Sequence, residues 1–315
     1  MTSAICTLFE KNYHYGVAAL TNSFYRNGFR GTVYAGYKGE LPSWTASATE
    51  VENSAWTGSK ILEVKDGMKI HFLPIEGKFH LTNYKPEFML KLWDTVAKDA
   101  DSLAYFDPDI IIKCRWDFYE SWMEHGVALV HEVVHNDMPA THPIRKEWEK
   151  IIKKCNKKVE RQINSYINGG FCGVTKENKE FLHTWAQIIQ VGIDDYKVDT
   201  TQFLSFNRTH PFWSLDQDAI NAAAMCSVSP VSEMGPDGMN FIYGGWTMSH
   251  ATGNPKPWNK NFFKSALKGY SPTRADRAFW FNVTTPIKNY TCAQILQKHL
   301  AIKIAGLAGR FYHRN

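Results

Sequence analysis

The chain has 315 residues, 44% of them hydrophobic and 21% charged, with a formal net charge of +5. That length accommodates one large α/β domain or two smaller ones, and the composition is that of an ordinary globular protein. The weak positive balance suits an anionic substrate or a membrane surface and argues against a nucleic-acid partner. The six cysteines are scattered, without a Cys-x-x-Cys pair, which excludes a zinc ribbon and a disulfide framework and fits a reducing, cytoplasmic setting. Met1-Thr2-Ser3 leads straight into an apolar run, so no signal peptide is expected, and no apolar run is long enough to span a bilayer. Asn207, Asn282 and Asn289 each open an Asn-x-Ser/Thr triplet, which without a secretory signal reads as chance.

Taken in order, Ala4 to Phe9 predicts a strand, Tyr13 to Tyr25 a helix closed by Asn27-Gly28, and Thr32 to Gly36 a second strand. Strand, helix, strand is the opening unit of a parallel sheet. Lys38 to Gly67 shows no periodicity and reads as loop. Lys69 to Leu73 predicts a strand. Pro86 to Asp99 predicts a helix, with proline in its first turn and Phe88, Leu92 and Val96 on one face. Leu103 to Phe106 and Ile110 to Ile112 are short apolar runs that read as buried strand. Further on, Asp117 to Glu124 predicts a helix and Val127 to Val134 a strand. Ile144 to Ile163 predicts a long helix with eight Lys or Arg, read as a solvated face. Tyr166 to Val174 is apolar around Asn168-Gly169-Gly170. Glu177 to Val191 and Leu215 to Met225 predict helices, with irregular chain between Asp194 and Pro211. Asn240 to Tyr243 and Trp246 to His250 predict two short strands. Cys292 to Leu307 is amphipathic, followed by Arg310, Phe311, Tyr312, His313 and Arg314.

Two stretches offer chemistry. In Asp107-Pro108-Asp109 the proline cannot donate to a ladder, so both carboxylates fall where strand pairing stops. In near-extended backbone residues two apart point to one side, and two converging carboxylates repel unless a cation lies between them. All-oxygen ligands of this kind suit Mg²⁺ or Mn²⁺. A plain surface turn is the competing reading. The second stretch is His250-Ala251-Thr252-Gly253-Asn254-Pro255-Lys256-Pro257-Trp258. His250 offers a nitrogen ligand, Gly253 allows close backbone approach, and Lys256 is a compact cation between prolines. Together the stretches supply the parts of a metal-diphosphate site.

Asp-x-Asp after a strand, Asn168-x-Gly170 in an apolar run, Asp216-Gln217-Asp218 opening a helix, and His-x-x-Gly-x-x-Lys-Pro-Trp occur in that order. The set resembles glycosyltransferase family 8 and related GT-A enzymes, over most of the chain from Ile5 to Trp258. The resemblance implies an α/β fold of GT-A type, with a Rossmann-like, mixed, mostly parallel sheet flanked by helices. It would form one catalytic domain over residues 1–285, with an amphipathic, basic and aromatic helical tail over 286–315. It implies Mn²⁺ or Mg²⁺ on Asp107, Asp109 and His250, and Lys256 with Gly253 at the diphosphate of a nucleotide-sugar, UDP-linked in this family. Glu10, Asn12 and Tyr13 resemble the uridine-binding turn, with Glu10 where Asp is commoner. Asn168 would bind the donor sugar, and Asp216 and Gln217 would lie beside the anomeric carbon, with retention of configuration. A further acidic sugar-binding residue of the family has no clear counterpart, although Glu132 is near. The acceptor would be a glycan, a lipid-linked sugar or a protein.

Other readings stand beside this one: an inverting GT-A enzyme, and a non-catalytic carbohydrate-binding protein on the same fold. His131-Glu132-Val133-Val134-His135 spells the zinc-protease motif His-Glu-x-x-His. That chemistry needs a helix, whereas the valines predict a strand, in which His131 and His135 lie roughly 13 Å apart. The C-terminal stretch reads either as a peripheral membrane contact or as a helix packed on the domain.

Overall fold

Strand β1 (Ser3–Glu10) runs through the middle of the sheet, since every residue from Ala4 to Phe9 is buried. Ala4, Cys6 and Leu8 join the core on one side of the sheet, and Ile5 and Phe9 the core on the other. This is the period-two pattern of a strand covered on both faces. The computed structural model describes residues 2–133 and 138–311, with side chains up to residue 309.

In chain order, β1 is followed by α1 (His14–Arg26), β2 (Thr32–Lys38), β3 (Thr49–Glu50), β4 (Lys60–Lys65), β5 (Met68–Pro74) and α2 (Lys85–Asp94). Next come β6 (Ser102–Phe106), β7 (Ile110–Ile112), α3 (Trp116–Glu124), β8 (Val127–Val130), α4 (Pro143–Lys154), β9 (Phe171–Thr175) and α5 (Glu180–Asp194). The chain then forms α6 (Leu215–Cys226), β10 (Val231–Met234), β11 (Met248–His250), α7 (Phe262–Leu267), α8 (Arg274–Phe281) and α9 (Cys292–Phe311). Nine strands make one mixed sheet in the order β10-β8-β9-β6-β1-β2-β5-β4-β3. Its centre, β6-β1-β2-β5, is parallel. Helices α1 and α3 pack on one face, and α2, α4, α5 and α6 on the other. A third core joins Ala19 of α1 and Ile111 of β7 to α7, α8 and α9. Each Leu, Ile or Phe buried in these cores stabilises the fold by about 1.5–3 kcal/mol.

Several expectations are corrected. The stretch 38–67 contains the antiparallel strands β3 and β4, with alternation too imperfect to show as a period. The basic helix ends at Lys154, where Cys155 caps it and Asn156 turns to φ +56°. Nor is that helix a wholly solvated face: Arg145 is buried, donating to the carbonyls of Met138 and Ser165, beside buried Trp148, Ile151 and Ile152. Asn240 to Tyr243 is not a strand, because Pro236–Met239 forms a tight turn that Asn240 closes at φ +59°. Two unexpected helices, α7 and α8, carry local start signals. Asn261 caps the first through Lys264 N–H, and Thr273 with Asp276 forms a capping box for the second. The helical tail expected over 286–315 is α9, and its Ala301, Ile302 and Ala305 are buried in the third core, the packed alternative of the sequence reading. Asn282 is buried with its amide bonded to the Ala278 carbonyl, and both amide atoms of Asn289 are buried, so neither triplet offers its nitrogen at the surface. All six cysteines are free.

Candidate active site

Pro108 interrupts the strand that β6 and β7 would otherwise form. The break is a turn rather than an extended bulge, closed by Ile110 N–H donating to the Asp107 carbonyl at 3.0 Å. β7 leaves the main sheet and pairs antiparallel with β11, in a register that sets His250 opposite Ile110. His250 thereby stands beside Asp109, and Ala251 N–H donates to the Asp109 carbonyl at 3.1 Å. A second tie, from Asp107 N–H to the Gly170 carbonyl at 2.7 Å, draws in the segment before β9.

Two glycines make this convergence possible. Helix α1 crosses so close to the turn that a Cβ on Gly16 would lie 2.2 Å from the Pro108 carbonyl oxygen. A Cβ on Gly170 would lie 2.6 Å from His250 Cε1, 2.8 Å from Asn168 Oδ1 and 3.0 Å from Asp107 Oδ2. Gly253 has a different reason to be glycine, its φ of +80°.

Each carboxylate is held by one oxygen and offers the other. Asp107 Oδ1 accepts from the Tyr105 hydroxyl at 2.9 Å and lies 3.2 Å from Lys85 Nζ, while Oδ2 faces His250 Nε2 at 3.8 Å. Asp109 Oδ2 accepts from Lys256 Nζ at 2.5 Å, while Oδ1 lies 3.2 Å from His250 Nε2. Burial would push the Asp109 carboxyl up, but His250 and Lys256 hold it below the ordinary carboxylate range. Lys256 responds in kind: burial works against its charge, and Asp109 outweighs it and raises its pKa. Asp107, Asp109 and His250 bring their ligand atoms within 4.8 Å of one another, the one such cluster among the described residues. Two hard oxygens and one imidazole, all prearranged, fit a divalent ion of the Mg²⁺ or Mn²⁺ class.

These residues open into a cavity of about 570 Å³ at the carboxyl ends of β1 and β6. Ligand clefts in open α/β sheets form at this end of the strands. Glu10, Tyr13, Asn168, Asp216, Gln217, Gly253 and Lys256 all line it, whereas Asn12 is exposed on the turn after β1 and outside the lining. The Tyr13 ring lies edge-on to Trp258 at 5.4 Å. Asn168 is fixed at both ends of its amide: Nδ2 donates to Glu132 Oε2 at 2.5 Å and Oδ1 accepts from Gly170 N–H at 2.8 Å. Gln217 Oε1 accepts from Gly169 N–H at 3.0 Å.

Lys85 is the residue that sequence reasoning missed. It is fully buried at the start of α2, 2.8 Å from Asp216 Oδ2, and it also donates to the Gly169 carbonyl at 2.8 Å. Burial would lower its pKa, but Asp107 and Asp216 together raise it. The one local signal is its place before Pro86 at a helix start, which says nothing of charge pairing. Glu132 is likewise a wall of this cavity. The zinc-protease reading has no helix to stand on: His131 forms an isolated bridge to Ile167, and its Nε2 lies 2.6 Å from Glu233 Oε2. His135 and Val134 lie outside the described residues, as do Tyr312, His313 and Arg314.

No protein-family model and no curated protein matches the chain in sequence. Solved structures do match. The WbbM bifunctional glycosyltransferase aligns over 94% of this chain and 51% of its own, at 13% identity and a TM-score of 0.53. The glycosyltransferase GlyE of Streptococcus pneumoniae TIGR4 aligns over 96% of this chain and 64% of its own, at 14% identity and a TM-score of 0.50. The fold is that of the GT-A glycosyltransferases. The chain spans about half of WbbM and under two thirds of GlyE, and at these identities the likeness is one of fold. The acidic turn, Asn168 and the start of α6 line one cleft.

Proposed function

We propose that the chain is a metal-dependent glycosyltransferase that moves a sugar from a UDP-linked donor to a glycan, lipid-linked or protein acceptor, with retention of configuration. One observation carries this reading: the convergence of Asp107, Asp109 and His250 in the wall of a cavity of about 570 Å³ in a GT-A fold.

A bound Mn²⁺ or Mg²⁺ would take up the negative charge that develops on the departing diphosphate, a contribution of several kcal/mol. Lys256 adds a second charge there. Its ammonium donates to Asp109 and the Ala251 carbonyl and lies beside the Tyr13 hydroxyl, in the wall that would face a phosphate. Because that charge grows as the sugar–phosphate bond breaks, Lys256 stabilises the transition state more than the bound donor. Asn168, fixed through Glu132, orients the donor sugar. Asp216 and Gln217 lie beside the anomeric carbon, and the Asp216 carboxylate, hydrogen-bonded by Lys85, faces the oxocarbenium-like state. Glu10 and Tyr13 form the wall for the base. Residues 286–315 make a peripheral membrane contact.

The test is incubation with UDP-sugars and Mn²⁺, with released UDP measured and the anomeric configuration of the product read by NMR. No UDP from any donor rejects the transferase, and an inverted product rejects retention.

A further inference from the structure

Eleven of the 36 Lys and Arg lie in residues 238–315, against one of the 31 Asp and Glu, Asp276. That segment carries +10, and the rest of the chain −5. Asp276 is buried, with its Oδ2 accepting from Lys260 Nζ and from the Thr273 backbone N–H, each at 2.7 Å. The segment therefore turns no carboxylate side chain toward solvent.

Helices α7 and α9 of this segment pack side by side, burying Phe262, Ala266, Ala301, Ile302 and Ala305. Their outer faces are apolar too. Phe263 and Leu267 of α7 are exposed, as are Leu296, Leu300, Ile304 and Leu307 of α9, with Leu267 at 81% and Leu296 at 71%. The four on α9 fall at i, i+4, i+8 and i+11, a single stripe along the helix. Lys264, Lys268 and Lys303 are exposed among them, and Tyr270 follows directly. At the start of α8 lies a second cavity of about 510 Å³, lined by Asn240, Lys260, Thr273 and Arg274 and sharing His250 and Gly253 with the first. Arg274 uses Nη1 on Asn240 Oδ1 and the Ile242 carbonyl, and its Nε and Nη2 have no hydrogen-bond partner among the described residues.

Three occupants can be weighed. A second copy would set Lys264, Lys268 and Lys303 of one face against the same three of the other. A nucleic acid satisfies the charge but leaves the leucines in water. A lipid surface with anionic headgroups satisfies both, since apolar side chains enter the acyl boundary while lysines meet phosphates. We propose that the outer faces of α7 and α9 dock the protein on an anionic lipid surface, with the cavity beside Arg274 receiving a lipid phosphate. This deepens the membrane contact of the proposed function. It extends that contact from residues 286–315 to α7 and Arg274, and gives it a lipid charge.

The experiment is co-sedimentation of the full chain with vesicles of phosphatidylcholine, with or without phosphatidylglycerol. The protein is expected to bind the anionic vesicles at least about tenfold more tightly, and less so as salt rises. Lys264→Glu with Lys268→Glu should weaken binding about tenfold. Leu296→Asp with Leu300→Asp should abolish it, and Arg274→Gln should weaken it severalfold. Equal binding to neutral vesicles, no binding to either, or wild-type binding by all three variants overturns the proposal. So does protection of Arg274 by inorganic phosphate without any vesicle binding. Release of UDP without vesicles should be the same in wild type and in the lysine and leucine variants, so failure of the transferase reading shows separately as no release from any of them.

Discussion

Lys85 Nζ stands 2.8 Å from Asp216 Oδ2 and 3.2 Å from Asp107 Oδ1, so one buried ammonium joins the start of α6 to the acidic turn. Neither carboxylate has another Lys or Arg in ion-pair contact among the described residues. Lys85→Met should therefore destabilise the fold by about 3–5 kcal/mol, the usual result of leaving a buried charge unpaired. Urea unfolding measures this. Adding Asp216→Asn should recover part of the loss, and strict additivity of the two changes would contradict a direct coupling.

Asp109 offers Oδ1 to the cluster and gives Oδ2 to Lys256. Asp109→Ala should lose about 100-fold or more in turnover, equivalent to several kcal/mol of charge stabilisation. Circular dichroism should show the fold retained. Undiminished UDP release in this variant would remove Asp109 from the site.

Metal binding to the folded state alone raises stability by mass action. Mn²⁺ at a hundredfold excess over its dissociation constant should add about 2.7 kcal/mol to the wild type. Thermal melts of Asp109→Ala and His250→Ala should show little of that shift. An equal shift in all three proteins would place the ion elsewhere.

Gly170→Ala tests the crowding behind the cluster. The added methyl carbon would lie 2.6 Å from His250 Cε1, and the other neighbours are the hydrogen-bonded Asn168 Oδ1 and the Oδ2 of Asp107, a carboxylate held through its other oxygen, rather than flexible chain ends. The expected cost is about 1–3 kcal/mol, together with weaker Mn²⁺ dependence of UDP release. Unchanged metal dependence would mean that the turn can shift without affecting the site.

Burial pushes Asp218 up to about 7, although Ser214 N–H and the Tyr166 hydroxyl donate to it. In the unfolded chain the same group titrates near 3.9. The folded state therefore holds a proton that the unfolded state releases. This contribution to stability is complete below about pH 4 and is lost as pH rises through about 7. Glu87, also raised to about 7 by burial, acts in the same sense. Melting temperatures of Asp218→Asn and Glu87→Gln should fall less than wild type between those limits, and parallel profiles would reject the assignment.

The sequence by itself determined the parts that depend on local pattern. The buried strands β1, β2 and β6 and the helices α1 and α6 follow from periodicity within one element, whereas α2 stops at Asp94, five residues short of the expected end, and leaves Val96 outside it. Asp107, Asp109, His250 and Lys256 were legible because their chemistry and order along the chain are distinctive. Expectations failed where the deciding partner is distant. Arg145 looks solvated until Met138 and Ser165 close over it, and β4 becomes a strand only by pairing with β5. Lys85 acquires its charges from residues 22 and 131 positions away. Tertiary structure also chose which oxygen of each aspartate is held and which is offered, because that choice rests on Tyr105, Lys85 and Lys256 meeting at one point. Periodicity reports a residue's own element. Electrostatic pairing and steric clearance depend on distances that only the folded chain sets.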